Sequence, residues 1–451
     1  MTNISKIIYL VMLLSMFFAL QYVSNINEVA IINILSLLLG SYAIIKSQKS
    51  PISPFLMIII SMYIFHSGQL WVSLFKEDPI QFILSCEYST SSYDIIRLYA
   101  KLTQLLIIFM FVGLAHTKPA YKNSGNVVLN VSGLFRFIVV CLYLILMYYE
   151  VLRAGSVAAK GYGVGYHYSN DFASMLADWV NIMFITIIYA YKDNPKMFWR
   201  YTGLMLFKAL FVMFFVGNRG DSVVNMLIFG FIVVRYSYLR KTPKKMYRLL
   251  SIMGVFLLVV LPLISILRAG GSTQELFAEQ GLIESFLMEF GDTARNFFLT
   301  DAFVAHMGSV YGMQMLTTSL TIIPCSTILF GNLINSYGII GIILNEYFDV
   351  EGLGGSNLTQ LYFNFGDGPL LYLSSFLMAY FCIFVSNILM RKNYNIYTTL
   401  ILLSLFAGLL TNVRAEWYSV MSQLKIGLYM CLIIYISNQT GAFFVNSRKQ
   451  S

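Results

Sequence analysis

The residues best suited to chemistry in this sequence are arginines that lie in the connections between long apolar segments. The connections that hold these arginines carry few lysines. There are five such arginines: Arg153, Arg219, Arg268, Arg295 and Arg414. A guanidinium group is a planar fork that binds phosphate oxygens bidentately, whereas a lysine ammonium is a flexible point charge. We therefore expect these arginines to hold an anionic ligand at one membrane surface, such as a lipid pyrophosphate. Each could instead extend its charge to lipid headgroups or pair with a nearby carboxylate.

The local context of three of these arginines favours such a site. Arg219 lies in a tight Gly-Asn-Arg-Gly turn, with Asp221 as a candidate partner. Arg268 ends an apolar segment just before two glycines, and Arg414 lies in a short turn with Glu416 as a candidate partner. Because glycine lets the backbone approach a ligand closely, the glycine-containing turns suit a binding site at the membrane surface.

A carboxylate near the arginines could take the proton from a sugar hydroxyl. Glu289 is the preferred candidate, because the segment 289–295 places two carboxylates and one arginine within about two helical turns. Asp292 and Asp367 are the alternatives for this role.

Two glycine-rich runs have the composition of a surface that binds sugar or phosphate. In the later run, Gly354 and Ser356 belong to a turn that is followed by Gln360 and Asn364, whose amides could donate to phosphate oxygens or sugar hydroxyls. In the earlier run, glycine alternates with tyrosine around Tyr166, and tyrosine rings can stack on sugars. The earlier run could equally be an ordinary mobile loop.

His66 falls inside an apolar segment, toward one of its ends. A histidine at membrane depth is a functional candidate by default, so we place His66 among the expected substrate-binding residues. A hydrogen bond between two helices would explain it equally well.

The composition indicates what kind of protein must position these residues. Of the 451 residues, 58% are hydrophobic and only 11% are charged, whereas a soluble domain carries about 25% charged residues. Because this small number of charged residues cannot cover a surface that faces water, the apolar segments must face lipid. The net charge of +9 is typical of cytoplasmic Lys and Arg in a membrane protein, and we expect no nucleic-acid partner. The five cysteines show no metal-ligand spacing, and we expect no metal and no cofactor.

Apolar segments of about 20 residues, the length needed to cross a membrane, occur about twelve times. They lie near 7–23, 29–45, 55–75, 97–115, 134–151, 174–191, 202–217, 222–236, 249–267, 370–390, 397–413 and 421–437. Lys and Arg cluster in alternate connections, and the positive-inside rule then places both termini in the cytoplasm. The five arginines above fall on the outer side. The sequence therefore predicts an all-α, polytopic integral membrane protein.

These segments divide the chain into three parts. Residues 1–267 are expected to form a transmembrane bundle with a small outer loop at 152–173, and residues 370–451 the C-terminal transmembrane helices. Between them, residues 268–369 form one large outer loop with apolar pieces that Gly, Asn and Pro interrupt. We expect short or re-entrant helices there that cap a cavity, because irregular backbone at membrane depth survives only against protein or water.

Four places in the sequence resemble the Wzy family of O-antigen polysaccharide polymerases. They are Phe65-His66-Ser67-Gly68, Asn218-Arg219-Gly220, Glu289-Phe290-Gly291, and Gly352-Leu353-Gly354-Gly355-Ser356 with the later Asn364-Phe365-Gly366. The resemblance extends over most of the chain in its segment pattern and its one large outer loop. It implies a GT-C-like, metal-independent glycosyltransferase that polymerises undecaprenyl-pyrophosphate-linked oligosaccharide repeat units at the periplasmic face of the bacterial inner membrane. It also implies a Wzz-type chain-length regulator as a partner.

For such an enzyme we expect an inverting glycosyl transfer whose chief need is to stabilise charge on the departing pyrophosphate. We assign this role to Arg268, Arg219 and Arg414, and we assign the pyrophosphate of the acceptor to Arg295 and Arg153.

Two other functions stay open at this point. An O-antigen ligase would have a similar number of spans and outer arginines, with an outer-loop histidine such as His306 in a defining role. A flippase or transporter of lipid-linked oligosaccharides would show internal repeats and charges deep inside its spans. The charges of this sequence gather at one end of the spans instead, which favours the polymerase.

Overall fold

The fold of this chain is helical throughout the residues that its computed structural model describes, which contain no strand. These residues are 2–86, 91–120, 131–160, 171–217, 220–269, 281–323, 339–349, 355–391 and 395–450, with a few positions between 324 and 338.

Helices occupy most of the described chain before residue 270. They are α1 (Asn3–Ala19), α2 (Ile26–Gln48), α3 (Pro54–Ser73), α4 (Pro79–Cys86), α5 (Ser92–His116), α6 (Gly133–Lys160), α7 (Asp171–Ala190), α8 (Pro195–Phe211), α9 (Gly220–Arg235) and α10 (Pro243–Ala269). A π-helical turn, Val212–Val216, continues α8, and a 3-10 turn, Tyr238–Lys241, precedes α10.

The described chain after residue 280 begins with short helices and ends with long ones. They are α11 (Leu282–Gly291), α12 (Thr293–Met307), α13 (Met313–Ser319), α14 (Ile340–Phe348), α15 (Asn357–Phe365), α16 (Pro369–Arg391), α17 (Ile396–Asn412) and α18 (Trp417–Gln450). A 3-10 turn, Leu320–Ile322, continues α13. The short helices α11 to α15 lie in the segment that the sequence predicts as a large outer loop.

Local sequence signals explain where several helices begin. The Ser53 hydroxyl accepts a hydrogen bond from the Leu56 amide at 3.2 Å, and Pro54 follows it at the first helical position of α3. Asn194 precedes Pro195 in the same way and caps α8 through the Met197 amide at 3.2 Å. These side chains satisfy amide groups that have no partner inside the helix, and proline has no amide to satisfy.

Seven of the described helices are long and apolar enough to cross a membrane. They are Ile26–Gln48, Pro54–Ser73, Ser92–His116, Gly133–Ala159, Pro195–Val216, Pro369–Arg391 and Trp417–Thr440. Four shorter apolar helices add to them, namely Asn3–Ala19, Met175–Ala190, Ser222–Arg235 and Tyr397–Asn412. The chain is thus a polytopic helical membrane protein. Each of the twelve predicted segments overlaps a helix, and the count of twelve spans stays a prediction.

One predicted boundary differs from the structure. The small outer loop was expected at 152–173, but α6 continues through Lys160 and α7 begins at Asp171. Residues 152–160 include three alanines, a leucine and an arginine, which are strong helix formers, so the helix extends past its apolar part. Arg153 therefore lies on α6 rather than in the loop.

Contacts divide the chain into two compact units. Unit 1 comprises Met1–Lys122, Gln280–Arg391 and Gly408–Ser422. Unit 2 comprises Asn123–Glu279, Lys392–Ala407 and Gln423–Ser451. The early helices α1 to α5 thus share one unit with the short helices α11 to α15.

The long helices of unit 1 run in two opposite directions. At one end, the Lys6 ammonium donates to the Ala115 carbonyl at 2.9 Å, which joins the start of α1 to the end of α5. At the same end, the Phe55 amide donates to the Ser386 hydroxyl at 3.2 Å, which joins the start of α3 to the last turns of α16. The opposite end therefore holds the ends of α1 and α3 and the starts of α5 and α16. We call this opposite end the site end.

Unit 2 has aromatic rings and buried polar side chains in its core. The ring of Tyr143 packs edge-on against Phe184, and Phe231 packs edge-on against Phe406, each with centroids 5.4 Å apart. The buried Lys208 ammonium donates to the Asn181 side-chain oxygen at 2.5 Å, so this cation has an acceptor inside the unit.

Candidate functional site

Two of the segments that carry the family resemblance pack directly against each other at the site end of unit 1. A Cβ atom on Gly68 in α3 would lie 2.1 Å from the Leu287 carbonyl oxygen in α11. A Cβ atom on Gly291 would lie 2.4 Å from the backbone nitrogen of Gln69. Small residues allow two helix backbones to approach this closely. These two glycines therefore dock the first short helix onto a long apolar one.

His66, the histidine singled out in the sequence, bonds to Ser356 of a third such segment. Its Nδ1 lies 3.0 Å from the Met62 carbonyl oxygen, which can only accept, so Nδ1 is the donor. In the neutral ring Nε2 then carries the lone pair, and it accepts from the Ser356 hydroxyl at 3.0 Å. Ser356 also caps α15, since its oxygen accepts from the Thr359 amide at 3.1 Å. Both His66 and Ser356 are fully buried.

A network of buried amide side chains lies behind this pair. The Gln314 side-chain oxygen accepts from Gln360 at 2.5 Å and from Asn364 at 3.1 Å. The Gln314 amide nitrogen donates in turn to the Glu416 carboxylate at 2.7 Å. The Gln360 oxygen accepts from the backbone amide of Trp417 at 2.6 Å. This network joins α13 and α15 to the turn between α17 and α18.

Glu416 is a carboxylate enclosed by this network rather than an exposed acid. Its second oxygen accepts from the Gly341 amide at 3.2 Å, and only 4% of the residue is exposed. Burial raises the pKa of the Glu416 carboxyl to about 7, although the hydrogen bonds from Gly341 and Gln314 oppose the rise. The sequence offered Glu416 as an ion-pair partner of Arg414. In the structure its two oxygens bind Gly341 and Gln314.

Arg414 lies on the exposed side of the same turn. Its guanidinium carbon is 5.8 Å from the centre of the Phe65 ring, within the range of a cation–π contact, and the residue is exposed. Phe65 packs edge-on against the buried Phe290 with centroids 4.9 Å apart. We call Arg414, Phe65 and Phe290 the arginine platform. It unites one predicted arginine with two of the segments that carry the resemblance.

A second charged cluster occupies the same end of unit 1. Arg97 in α5 binds Asp301 at 2.7 Å and lies 3.6 Å from Asp367, and Lys101, one turn further along α5, also binds Asp367. The Tyr362 hydroxyl donates to Asp301. Burial and the neighbouring Asp301 carboxylate raise the pKa of Tyr362, so this hydroxyl stays protonated and can donate.

The structure places the remaining predicted site residues as follows. Arg295 is half-buried in the first turn of α12 in unit 1. Arg153 lies on α6 in unit 2, where its side chain is 3.8 Å from the buried Glu150 carboxylate. Asn364 belongs to the Gln314 network described above.

Five predicted residues fall partly or wholly outside the described part of the chain. Arg219, Tyr166 and Gly354 lie outside the described residues. Arg268 ends α10 and Glu289 lies in α11, but their side chains are outside the described part.

Sequence reasoning missed several residues that the structure brings together. Gln314 at the centre of the amide network gave no signal, because a lone glutamine at the start of an apolar run resembles an ordinary helix residue. Arg97 was overlooked because it stands at the predicted start of a span. Its partners Asp301 and Asp367 are far away in the sequence. Among the described residues, no group of three or more His, Cys, Asp or Glu side chains could hold a metal ion.

Comparison with known proteins gives one match. A family model described as O-antigen polysaccharide polymerase Wzy matches residues 5–441. No curated protein and no solved structure matches the chain.

Proposed function

Because residues 5–441 place this chain in the Wzy family of O-antigen polysaccharide polymerases, we propose that it joins undecaprenyl-pyrophosphate-linked repeat units by inverting glycosyl transfer without a metal. The family acts on lipid-linked oligosaccharides in the membrane, and the apolar helices make the chain a multi-pass membrane protein.

The observation that carries the proposal is the exposed Arg414 on the Phe65 ring. A guanidinium can bind two phosphate oxygens at once, and the contact with the Phe65 ring fixes the position of this one at the exposed surface. Phe65 and Phe290 also provide apolar surface next to the charge. A lipid pyrophosphate, which joins a charged group to an apolar tail, has the matching chemistry.

The buried network supports Arg414 from below. The turn that carries it is held on its far side by the Glu416 carboxylate and by the Trp417 amide, which bind Gln314 and Gln360. A charge that is fixed before the reaction stabilises developing charge without the cost of reorganisation. We therefore assign His66, Ser356 and Asn364 a positioning role, because they are buried and bonded within this support.

The proposed reaction balances as follows. The bond between the anomeric carbon of the growing chain and its pyrophosphate oxygen breaks, and the pyrophosphate leaves with the electron pair. A sugar hydroxyl of the incoming repeat forms the new bond to that carbon. Its proton passes to a carboxylate, for which Glu289 is our choice. Glu289 precedes Phe290 of the arginine platform in α11.

The other predicted residues complete the proposal on sequence grounds. Arg268 and Arg219 assist Arg414 at the departing pyrophosphate, and Arg295 and Arg153 hold the pyrophosphate of the acceptor. Tyr166 and Gly354 contribute to sugar binding.

We place the reaction at the periplasmic face of the inner membrane, with both termini in the cytoplasm. The support is the clustering of Lys and Arg in alternate connections. Lys6 and Arg391 lie at the end of unit 1 opposite the site end, as this orientation requires. A Wzz-type regulator is the partner that the family resemblance suggests.

A complementation experiment tests the proposal. In a strain without its own polymerase, the wild-type chain should restore a ladder of long O-antigen on a lipopolysaccharide gel. Arg414→Gln should leave the core with a single repeat, whereas Arg391→Gln, an exposed arginine at the opposite end of unit 1, should restore the ladder. Equal membrane levels of all three proteins are the control. A normal ladder from Arg414→Gln would overturn the assignment, and loss of even the single repeat on gene deletion would indicate a ligase or flippase.

A further inference from the structure

A polar cavity of about 350 Å³ opens at the site end of unit 1, next to the second charged cluster. It lies between the end of α1, the first turns of α5 and the start of α16. This volume is within the range of small-molecule sites, roughly 300–1,000 Å³. Its polar lining includes Gln21, Ser24, Tyr93, Arg97, Lys101 and Gln104.

The charged side chains among the described residues that line this cavity are two cations, Arg97 and Lys101. Three carboxylates that do not line the cavity, those of Asp94, Asp301 and Asp367, lie within 4 Å of these cations. Asp301 and Asp367 hold the two cations from α12 and from the start of α16. The Lys101 side chain is only 7% exposed. A cation fixed at the wall of a polar cavity suits a phosphate, and the hydroxyl and amide groups beside it suit sugar hydroxyls.

An apolar groove of about 310 Å³ continues along the same three helices. Its lining includes Leu14 and Phe17 of α1, Phe111 of α5, and Leu373 and Phe376 of α16. Leu14 and Leu373 are 44% and 54% exposed, so the groove opens at the outer surface of these helices. In a membrane protein this surface faces lipid.

The cavity and the groove meet at Tyr372, which lines both. Its hydroxyl donates to the Gln104 side-chain oxygen at 3.1 Å, so its polar end belongs to the cavity and its ring to the groove. From Arg97 to Phe111 the combined feature runs along α5 for about 20 Å, at 1.5 Å per residue. It is therefore a single amphipathic groove, polar at the site end and apolar beyond.

We propose that this amphipathic groove binds a second lipid-linked substrate, with the phosphate- and sugar-bearing head in the polar cavity and the isoprenoid chain in the apolar part. The inference rests on the proposed polymerase function, which needs two lipid-linked repeat units at once. It assigns one of them to a surface that shares no lining residue with the arginine platform. The apolar part is a single groove of about 310 Å³, which suits a single-chain isoprenoid lipid better than a two-chain phospholipid.

Direct binding tests this inference. The purified full-length chain is titrated with radiolabelled undecaprenyl phosphate, in the wild-type and in an Arg414→Gln background that removes the arginine of the platform. Lys101→Met removes a cation from the cavity, and Leu373→Trp fills the apolar part from an exposed position. Leu377→Trp is the matched control, because Leu377 lies one turn further along α16 and is 58% exposed.

In the Arg414→Gln background, Lys101→Met and Leu373→Trp should each weaken binding about tenfold or more, because the first removes a charged contact and the second blocks the chain. In the wild-type background the arginine platform still binds the probe, so only one of the two binding components should weaken. Leu377→Trp should bind as its parent does. Wild-type affinity in both groove variants would overturn the inference, and so would displacement of the probe by an equal concentration of phosphatidylglycerol. Retained polymer in Arg414→Gln would contradict the proposed role of Arg414 and leave the groove result intact, so the two failures are distinguishable.

Discussion

Gly355 and Glu416 approach each other so closely that position 355 has no room for a side chain. A Cβ atom on Gly355 would lie 2.2 Å from the Cγ atom of Glu416 and 2.6 Å from its Oε1. Glu416 cannot move aside easily, because its two oxygens are bound by Gln314 and Gly341. This contact joins the glycine-rich run that carries the resemblance to the turn that carries Arg414.

The first prediction concerns this contact. Gly355→Ala should lower the stability of unit 1 by about 1–3 kcal/mol, the usual cost of overpacking, and should impair polymerisation. The measurement is the thermal unfolding midpoint of the purified chain together with its O-antigen ladder. Gly368→Ala is the control, since a Cβ atom there would have no neighbour within 4 Å. Equal midpoints for the two variants would contradict the contact.

The second prediction follows from the raised pKa of Glu416. Well below pH 4.5, the carboxyl is protonated in both the folded and the unfolded chain, so it adds no pH dependence. Between about 4.5 and about 7 the folded state binds more protons than the unfolded state, so stability falls as the pH rises through this window. The loss is on the order of 3 kcal/mol.

Glu416→Gln removes this titration. The thermal unfolding midpoint of the wild-type chain should therefore decline more steeply from pH 5 to pH 8 than that of the variant. Parallel curves would show that Glu416 titrates normally in the folded protein.

The third prediction separates two roles of Ser356. Ser356→Ala removes the cap of α15 and the hydrogen bonds to His66 and to the Thr359 hydroxyl, whereas Ser91→Ala removes only a cap, that of α5. A lost cap costs about 1 kcal/mol. A buried polar group such as the His66 ring nitrogen, when it loses its hydrogen-bond partner, lowers the free energy of unfolding by about 1–3 kcal/mol more. Ser356→Ala should therefore lower the unfolding midpoint further than Ser91→Ala, and this excess should be smaller when His66→Phe is the parent.

An excess of the same size in the His66→Phe parent would mean that the His66–Ser356 bond contributes nothing.

The fourth prediction concerns the docking of α11 on α3. Gly68→Ala places a methyl group against the Leu287 backbone oxygen, which cannot rotate away as a side chain could. We expect α11 to be displaced, the ladder to be lost and the unfolding midpoint to fall. Gly203→Ala, where the added methyl group meets nothing within 4 Å, should leave both measurements unchanged. A normal ladder from Gly68→Ala would show that this close approach is dispensable.

The helical membrane architecture could be predicted from the sequence because its signal is local. A run of about 20 apolar residues determines a span by itself, and caps such as Ser53 mark where the helix begins. The end of α6 was harder to predict, because the helix-forming residues up to Lys160 continue beyond the apolar part of the helix. The sequence could indicate that helix only as far as its apolar residues extend.

The candidate site could be predicted only in part, since its partners are distant along the chain. His66 stood out as a histidine in an apolar segment, and Ser356 and Asn364 stood out as polar residues in and after a glycine-rich run. The bond between His66 and Ser356 spans 290 positions, and no local pattern indicates it. Gln314 and Arg97 were missed for the same reason, because their importance comes from tertiary neighbours.

The most direct test of Arg414 measures catalysis outside the cell. The purified chain is reconstituted with undecaprenyl-pyrophosphate-linked repeat units, and the rate of polymer formation is compared for wild type, Arg414→Lys, Arg414→Gln and Arg391→Gln. Arg414→Gln should lower the rate about 100-fold to 1,000-fold, as the loss of one preorganised donor does at other sites that stabilise developing charge. Arg414→Lys should give a rate between those of wild type and Arg414→Gln, and Arg391→Gln should give the wild-type rate. A wild-type rate from Arg414→Gln would contradict the account.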